Sequence, residues 1–201
     1  MTEKEDIFSN LKEAVNRIDT VPEKMTVLPL RDIVIYPHMI FPILIGRTSS
    51  LKSVAEAVER DKYLFVSAQK DPNVDEPGFK DIYVHGTITK IIQIVRLPNN
   101  LLKVLVEGLF QGKIIEKLNT KEYLEAKIKM LGPKPVKEDT ELEALIRHAG
   151  DLFVEYIREN HNIPTDIIGA FENIDDPVRK LFFAAANIDQ KVPPKQKLLS
   201  E

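Results

Sequence analysis

The spacing of apolar residues changes once along this chain, and that change restricts the fold more than any other feature. Up to about residue 131 the apolar residues alternate, the period of a strand with one buried face. Leu102, Val104, Val106, Phe110 and Ile114 share one face of residues 101–115. Ile82, Val84, Ile88, Ile92 and Ile94 do the same over 82–95, with Lys90 as the exception. Leu124, Ala126, Ile128 and Met130 alternate with Glu125, Lys127 and Lys129. From Thr140 the period becomes helical: Leu142, Leu145, Ile146, Ala149, Leu152, Phe153, Tyr156 and Ile157 fall on one stripe. Strands first and helices second is the α+β pattern.

The stretch LPLRDIVIYPHMIFPILIGR (residues 28–47) is too broken for a helix and too apolar for an ordinary loop. Of its three prolines, Pro37 and Pro42 lack an N–H and fix φ where they would break a central strand or a helix across the middle. It therefore reads as strand pieces at Val27–Leu30 and Ile33–Tyr36, then an extended segment Ile40–Ile45. Proline corners bend them along the seam of a small barrel. Residues 51–60 form a one-sided helix, with Ser49 or Ser50 as its cap. YLFVSA (63–68) is a buried strand, and the polar, Pro- and Asp-rich 69–81 is a surface loop. Pro98-Asn99-Asn100 is a turn. Gly86, Gly108 and Gly112 are candidate bends in strands longer than usual.

In the second half, Thr140 with Glu143 forms a capping box. Pro164 opens a short helix, Asp176-Pro177 caps another, and Pro193-Pro194 starts a last one that breaks off after two turns. Such an ending points to a chain that continues. The organisation is an N-terminal arm (1–24) with Ile7, Leu11, Val15 and Ile18 at helical spacing, a β-rich unit (25–131), a linker (132–139) holding Pro133 and Pro135, and a helical unit (140–201). Few contacts are expected to cross between the halves.

The search for chemistry is negative. The 201 residues contain no cysteine, hence no thiolate chemistry and no disulfide. No phosphate-binding loop, nucleophile elbow, paired-histidine zinc motif or EF-hand loop is present. His38, His85, His148 and His161 have no ligand spacing, and Asp175-Asp176 reads as a helix cap rather than a metal site. No catalytic, cofactor-binding or metal-binding residue is assigned. A net charge of -3, with 28 basic and 31 acidic residues intermixed, gives no electrostatic footprint for nucleic acid. No signal peptide or membrane span is visible, so a cytoplasmic location is expected.

Several separate blocks resemble one family. LPLRDIVIYPHMIFPILIGR looks like the opening of the N-terminal domain of Lon, the ATP-dependent protease. Residues 66–109, with AQKD before an acidic loop, then GT, then LPNNLLKVLVEG, are similar to that domain's second block. NIDDPVRKLFFAA (173–185) and PPKQKLLSE (193–201) resemble its helical part. His38 stands where many relatives have glycine. The resemblance covers about 25–201 and implies a PUA-like β-barrel-type domain followed by a helical bundle. It implies recognition of unfolded or degron-bearing proteins, help in assembling a hexamer, and no catalysis in this segment. ATP, Mg and a Ser-Lys protease module would belong to the full-length protein. A segment that holds unfolded chains needs exposed apolar groups. Tyr36, Met39 and Phe41 at the proline bend, and Leu97, Leu101 and Leu102 at the hairpin tip, are the candidate substrate contacts. The alternatives are a stand-alone PUA-like adaptor or an RNA-binding module.

Overall fold

The computed structural model describes residues 21–118, 120, 122–132, 140–160 and 163–200. The expected arm helix over residues 7–18, most of the linker and His161 lie outside the described residues. Six strands come first: β1 (Lys24–Leu30), β2 (Ile40–Ile45), β3 (Tyr63–Ala68), β4 (His85–Arg96), β5 (Leu102–Leu118) and β6 (Leu124–Leu131). Helix α1 (Thr48–Arg60) crosses between β2 and β3. Helices α2 (Thr140–Glu159), α3 (Asp166–Glu172), α4 (Pro177–Asn187) and α5 (Val192–Ser200) follow.

The length of β5 organises the sheet. One of its edges pairs antiparallel with the whole of β4 over Leu102–Lys113. The other edge takes β2 over Leu102–Glu107 and β6 over Gln111–Leu118. β6 also pairs with β1, β1 runs parallel to β3, and β3 pairs with β4. Five strands thus nearly close into a ring, while β2 hangs on the first half of β5 with its other edge open. This explains Pro42. Gly108 N–H donates to Met39 O, which fixes the register so that Pro42 N faces away from β5, where no N–H is required. His38, two residues before this strand, has φ 65°, the left-handed region that suits glycine.

Four apolar clusters fill the fold. Val54 and Ala57 of α1 pack with Leu28, Leu64, Ile91, Val104 and Val106 at one end of the ring. Phe65, Ile82, Ile88, Ile114 and Ile128 fill the other end. Phe153, Ile157 and Phe171 centre the helical part. The fourth cluster joins the two halves: Val34, Tyr36 and Ala68 meet Ala185 and Leu199. Polar bonds reinforce that seam. Tyr36 Oη donates to Lys195 O at 2.8 Å, Gln196 Nε2 to His85 O at 2.9 Å, and Gln111 Nε2 to Leu199 O at 2.7 Å. The expectation of few contacts between the halves is therefore not met.

Three local expectations are also corrected. Residues 33–36 are not a strand and enter no ladder. They are instead a crossing, exposed at Ile33 and buried from Val34 to Tyr36, whose Ile35 carbonyl accepts from Thr87 Oγ1. Helix α1 starts at Thr48, with Arg47 at the cap position and no side-chain cap bond. Ser49 Oγ donates instead to Glu76 Oε2 at the surface, Ser50 is buried, and Ser53 turns inward: Ser53 Oγ donates to Val27 O, and Ser53 O accepts from Thr26 Oγ1. The single-faced reading of 82–95 fails because register shifts at Ile88/Thr89 and Ile91/Gln93 change which residues face the core. Ile82 and Ile88 are buried as expected, but Ile91 replaces Ile92 inside, and Val84, Ile92 and Ile94 are exposed.

Candidate functional site

The fold treats the six candidate contacts differently. Tyr36 is 0% exposed. Its ring lies 5.8 Å from that of Phe182, α4 and α5 cover it, and burial pushes its hydroxyl pKa up to about 12. It is a seam residue, not an accessible contact, because helices more than 140 positions away in sequence close over the bend. Met39 is half-buried against the same seam. Phe41 and Leu102 are half-buried against the α1-side core. Leu101 covers Gly46, where an added Cβ would come 2.8 Å from Leu101 Cδ2. Leu97 N–H donates to Leu101 O and closes the hairpin tip, helped by Asn99 and Asn100 at positive φ. Phe41, Leu101 and Leu102 thus gather around β2, while Met39 lies on the seam and Leu97 at the tip.

The freely exposed apolar groups are their neighbours. β3 pairs with β4 as far as Lys90, and Lys62 O still accepts from the Ile91 N–H, so the β4–β5 hairpin from Ile92 onward projects beyond the ring. Every residue from Ile92 to Arg96 is exposed, with Ile92 at 49%, Ile94 at 37% and Val95 at 41%. On β2, odd-numbered residues turn into the core, and Ile40 and Leu44 turn outward at 60% and 62%. Register places Leu44, Lys103 and Val95 in one row across three strands. The result is an outer-face strip over β2, β5 and the distal β4, with Lys103 between Leu44 and Val95 and with Lys90 and Arg96 at its ends, while Ile94, paired with Val104, lies on the opposite face of the same hairpin end. The sequence pattern concealed Ile92 and Ile94, since strict alternation assigned them to the core. A β-branched run continuing past the last residue that β3 can pair was the signal available.

A second apolar feature lies in the helical part. A groove of about 510 Å³ runs between α2, α4 and α5, lined among others by Ile146, Leu152, Phe153, Leu181, Phe182 and Leu198. The apolar stripe of α2 is buried only toward its C-terminal end. Only Phe153 and Ile157 are buried, and Leu145, Ala149 and Leu152 are exposed. Its apolar face is wider than the three following helices can cover.

Polar chemistry is sparse at both places. Burial pushes the pKa values of His38 and His85 down, with Arg179 and Lys113 respectively adding to the effect. Among the described residues no three His, Cys, Asp or Glu side chains converge as a metal site would require. No helix among them is long and apolar enough to cross a membrane. What the strip offers is apolar side chains and open strand backbone, suited to noncovalent binding of polypeptide.

Comparison with known proteins gives the same direction. Residues 24–201 match the family described as the ATP-dependent protease La (LON) substrate-binding domain. The chain is 38% identical over 176 residues to the Lon protease of Escherichia coli K12, covering 88% of this chain and 22% of that protein. It is 36% identical over 180 residues to the Lon protease of Halothermothrix orenii, covering 88% of this chain and 23% of that one. The N-terminal domain of the Mycobacterium avium complex Lon protease superposes with a TM-score of 0.70 at 18% identity, over 89% of this chain and 90% of that one.

Proposed function

The chain belongs to the Lon substrate-binding domain family, and from that premise we propose that it captures unfolded or degron-bearing polypeptide for an ATP-dependent protease. The chain spans about 22% of the length of the curated relatives it matches. In this reading the ATPase and the Ser-Lys peptidase lie in other segments, and the whole protein works as a cytoplasmic hexamer that removes damaged and selected regulatory proteins. The 201 residues supply recognition and help assembly, and carry neither ATP hydrolysis nor peptide cleavage.

The observation that carries the site is the exposed strip of Ile40, Leu44, Ile92 and Val95, together with Ile94 exposed on the opposite face of the same hairpin end. Burying one such side chain contributes about 1.5–3 kcal/mol. Two or three of them, after the cost of association, give a weak single site. Several copies in a ring turn weak sites into useful avidity.

The test is a titration of labelled, reduced and unfolded protein into the 201-residue chain at low and high salt. Binding is expected to be micromolar or weaker and to persist in salt, since apolar contact releases no counterions. Ile94→Asp and Leu44→Asp are each expected to weaken it by about tenfold, the loss of a buried side chain. Both positions are exposed, so the fold should survive. A structured RNA titrated in parallel should bind poorly. Tight, salt-sensitive RNA binding would instead favour a nucleic-acid module.

A further inference from the structure

The two open sheet edges are not equivalent. β2 carries Pro42, so its free edge lacks one donor and resists pairing with another strand. The distal half of β4 has no such protection. Leu97 N–H donates to Leu101 O, which fixes the register so that residues 93 and 95 bond across to β5. The N–H and C=O of Ile94 therefore point away from β5, past the end of β3, and every residue there is exposed. The run KIIQIVR (90–96) contains no proline or glycine and is rich in β-branched residues. An open edge of this kind is a template for a further strand.

Charge decides what could pair with it. A second copy meeting the open edge antiparallel about Ile94 would bring its Arg96 opposite Ile92, next to Lys90, at both ends. Like charges brought close across a strand pair destabilise it. Lys103 adds a third cation beside Val95. Acidic neighbours do not offset these at the edge. Glu107 faces Lys90 from β5, on the side away from the opening, and Asp61 is taken up by accepting the Tyr63 N–H. We propose that the distal β4 edge, Ile92–Arg96, receives an extended apolar segment flanked by acidic residues as an added β-strand. The inference rests on the capture reading above and specifies its binding mode: backbone hydrogen bonds at Ile94, apolar contacts to Ile92 and Val95, and acidic flanks against Lys90 and Arg96.

The test uses a labelled octapeptide with a Val-Phe-Ile-Val core and two acidic residues at each end, titrated into the 201-residue chain. Two further versions carry backbone N-methyl groups on alternate core residues, one in each frame, with side chains unchanged. One frame should lose about tenfold or more in affinity, because its donors face the edge, and the other should retain binding. Lysines in place of the acidic flanks should also weaken binding. If both N-methylated peptides bind as the parent does while Ile94→Asp removes binding, strand addition is wrong and apolar capture stands. If the parent peptide does not bind, or its binding is indifferent to the flanking charge, the proposal is overturned. If Ile94→Asp leaves unfolded-protein binding unchanged as well, the capture reading falls with it.

Discussion

Tyr36→Ala is expected to destabilise the protein by about 3–5 kcal/mol, the usual cost of deleting a buried aromatic side chain. The ring is 0% exposed and forms the centre of the cluster that joins the β half to α4 and α5. Removing it leaves a cavity between elements whose relative position it holds, and leaves Lys195 O without its donor. Urea unfolding followed by circular dichroism measures the loss. Tyr36→Phe keeps the packing and removes the hydroxyl bond alone, so it should cost about 1 kcal/mol. If Tyr36→Ala unfolds at the parent urea concentration, Tyr36 is not packed as described, and its original place among the substrate contacts reopens. The same variants separate stability from capture. Tyr36→Phe should bind unfolded protein as the parent does, because the hydroxyl touches only the seam.

Gly86→Ala is expected to be at least as damaging. Gly86 and Gly112 stand opposite each other on β4 and β5 and make the slot that Phe65 fills. A Cβ on Gly86 would come 2.2 Å from Val66 O and 2.7 Å from Phe65 Cζ. The first is backbone in a buried strand and cannot move aside without breaking the β3–β4 pairing. Forced overpacking of this kind costs about 3 kcal/mol or more, so the expected outcome is a sharply reduced melting temperature or insoluble protein. Gly169→Ala is the control, since nothing lies within 4 Å of a Cβ there, and it should be neutral or slightly stabilising. A soluble Gly86→Ala protein with parent stability would contradict the ring packing around Phe65.

The sequence disclosed most where one local rule acts alone. YLFVSA reads as a buried strand, and all six residues of β3 are buried. The alternation over 102–114 follows the buried face of β5 at Val104, Val106 and Ile114, even though the pairing with β4 skips Leu109. Asp176 caps α4 by accepting from Arg179 N–H, as a residue of that type before Pro177 should. The strand-then-helix order gave the fold class for the same reason.

The candidate site was legible only in outline. The proline bend and the hairpin tip are the correct neighbourhood for exposed apolar groups, but the individual residues depend on events that local pattern does not encode. Tyr36 disappears under helices that follow it by more than 140 residues. Ile92 and Ile94 come to the surface because β3 ends its pairing at Lys90 and a bulge shifts the phase beyond Ile91. Leu101 and Leu102 are partly hidden by Gly46 and the α1-side core, which meet only when β2 lies against β5. In the helical part a periodic stripe marks which face of α2 is apolar, yet not how much of that face its neighbours cover.

The central claim is that unfolded polypeptide is held on the β2–β4 strip rather than in the helical groove. Photocrosslinking tests it most directly. A photoreactive residue is placed at Leu44, at Ile92 or at Leu152, all exposed, the first two on the strip and the third in the groove. Each variant is irradiated with labelled unfolded protein. Adducts should form from positions 44 and 92, compete away with unlabelled unfolded protein, and be absent or minor from position 152. Competable adducts from position 152 with none from 44 or 92 would contradict the account and move the site to the helices.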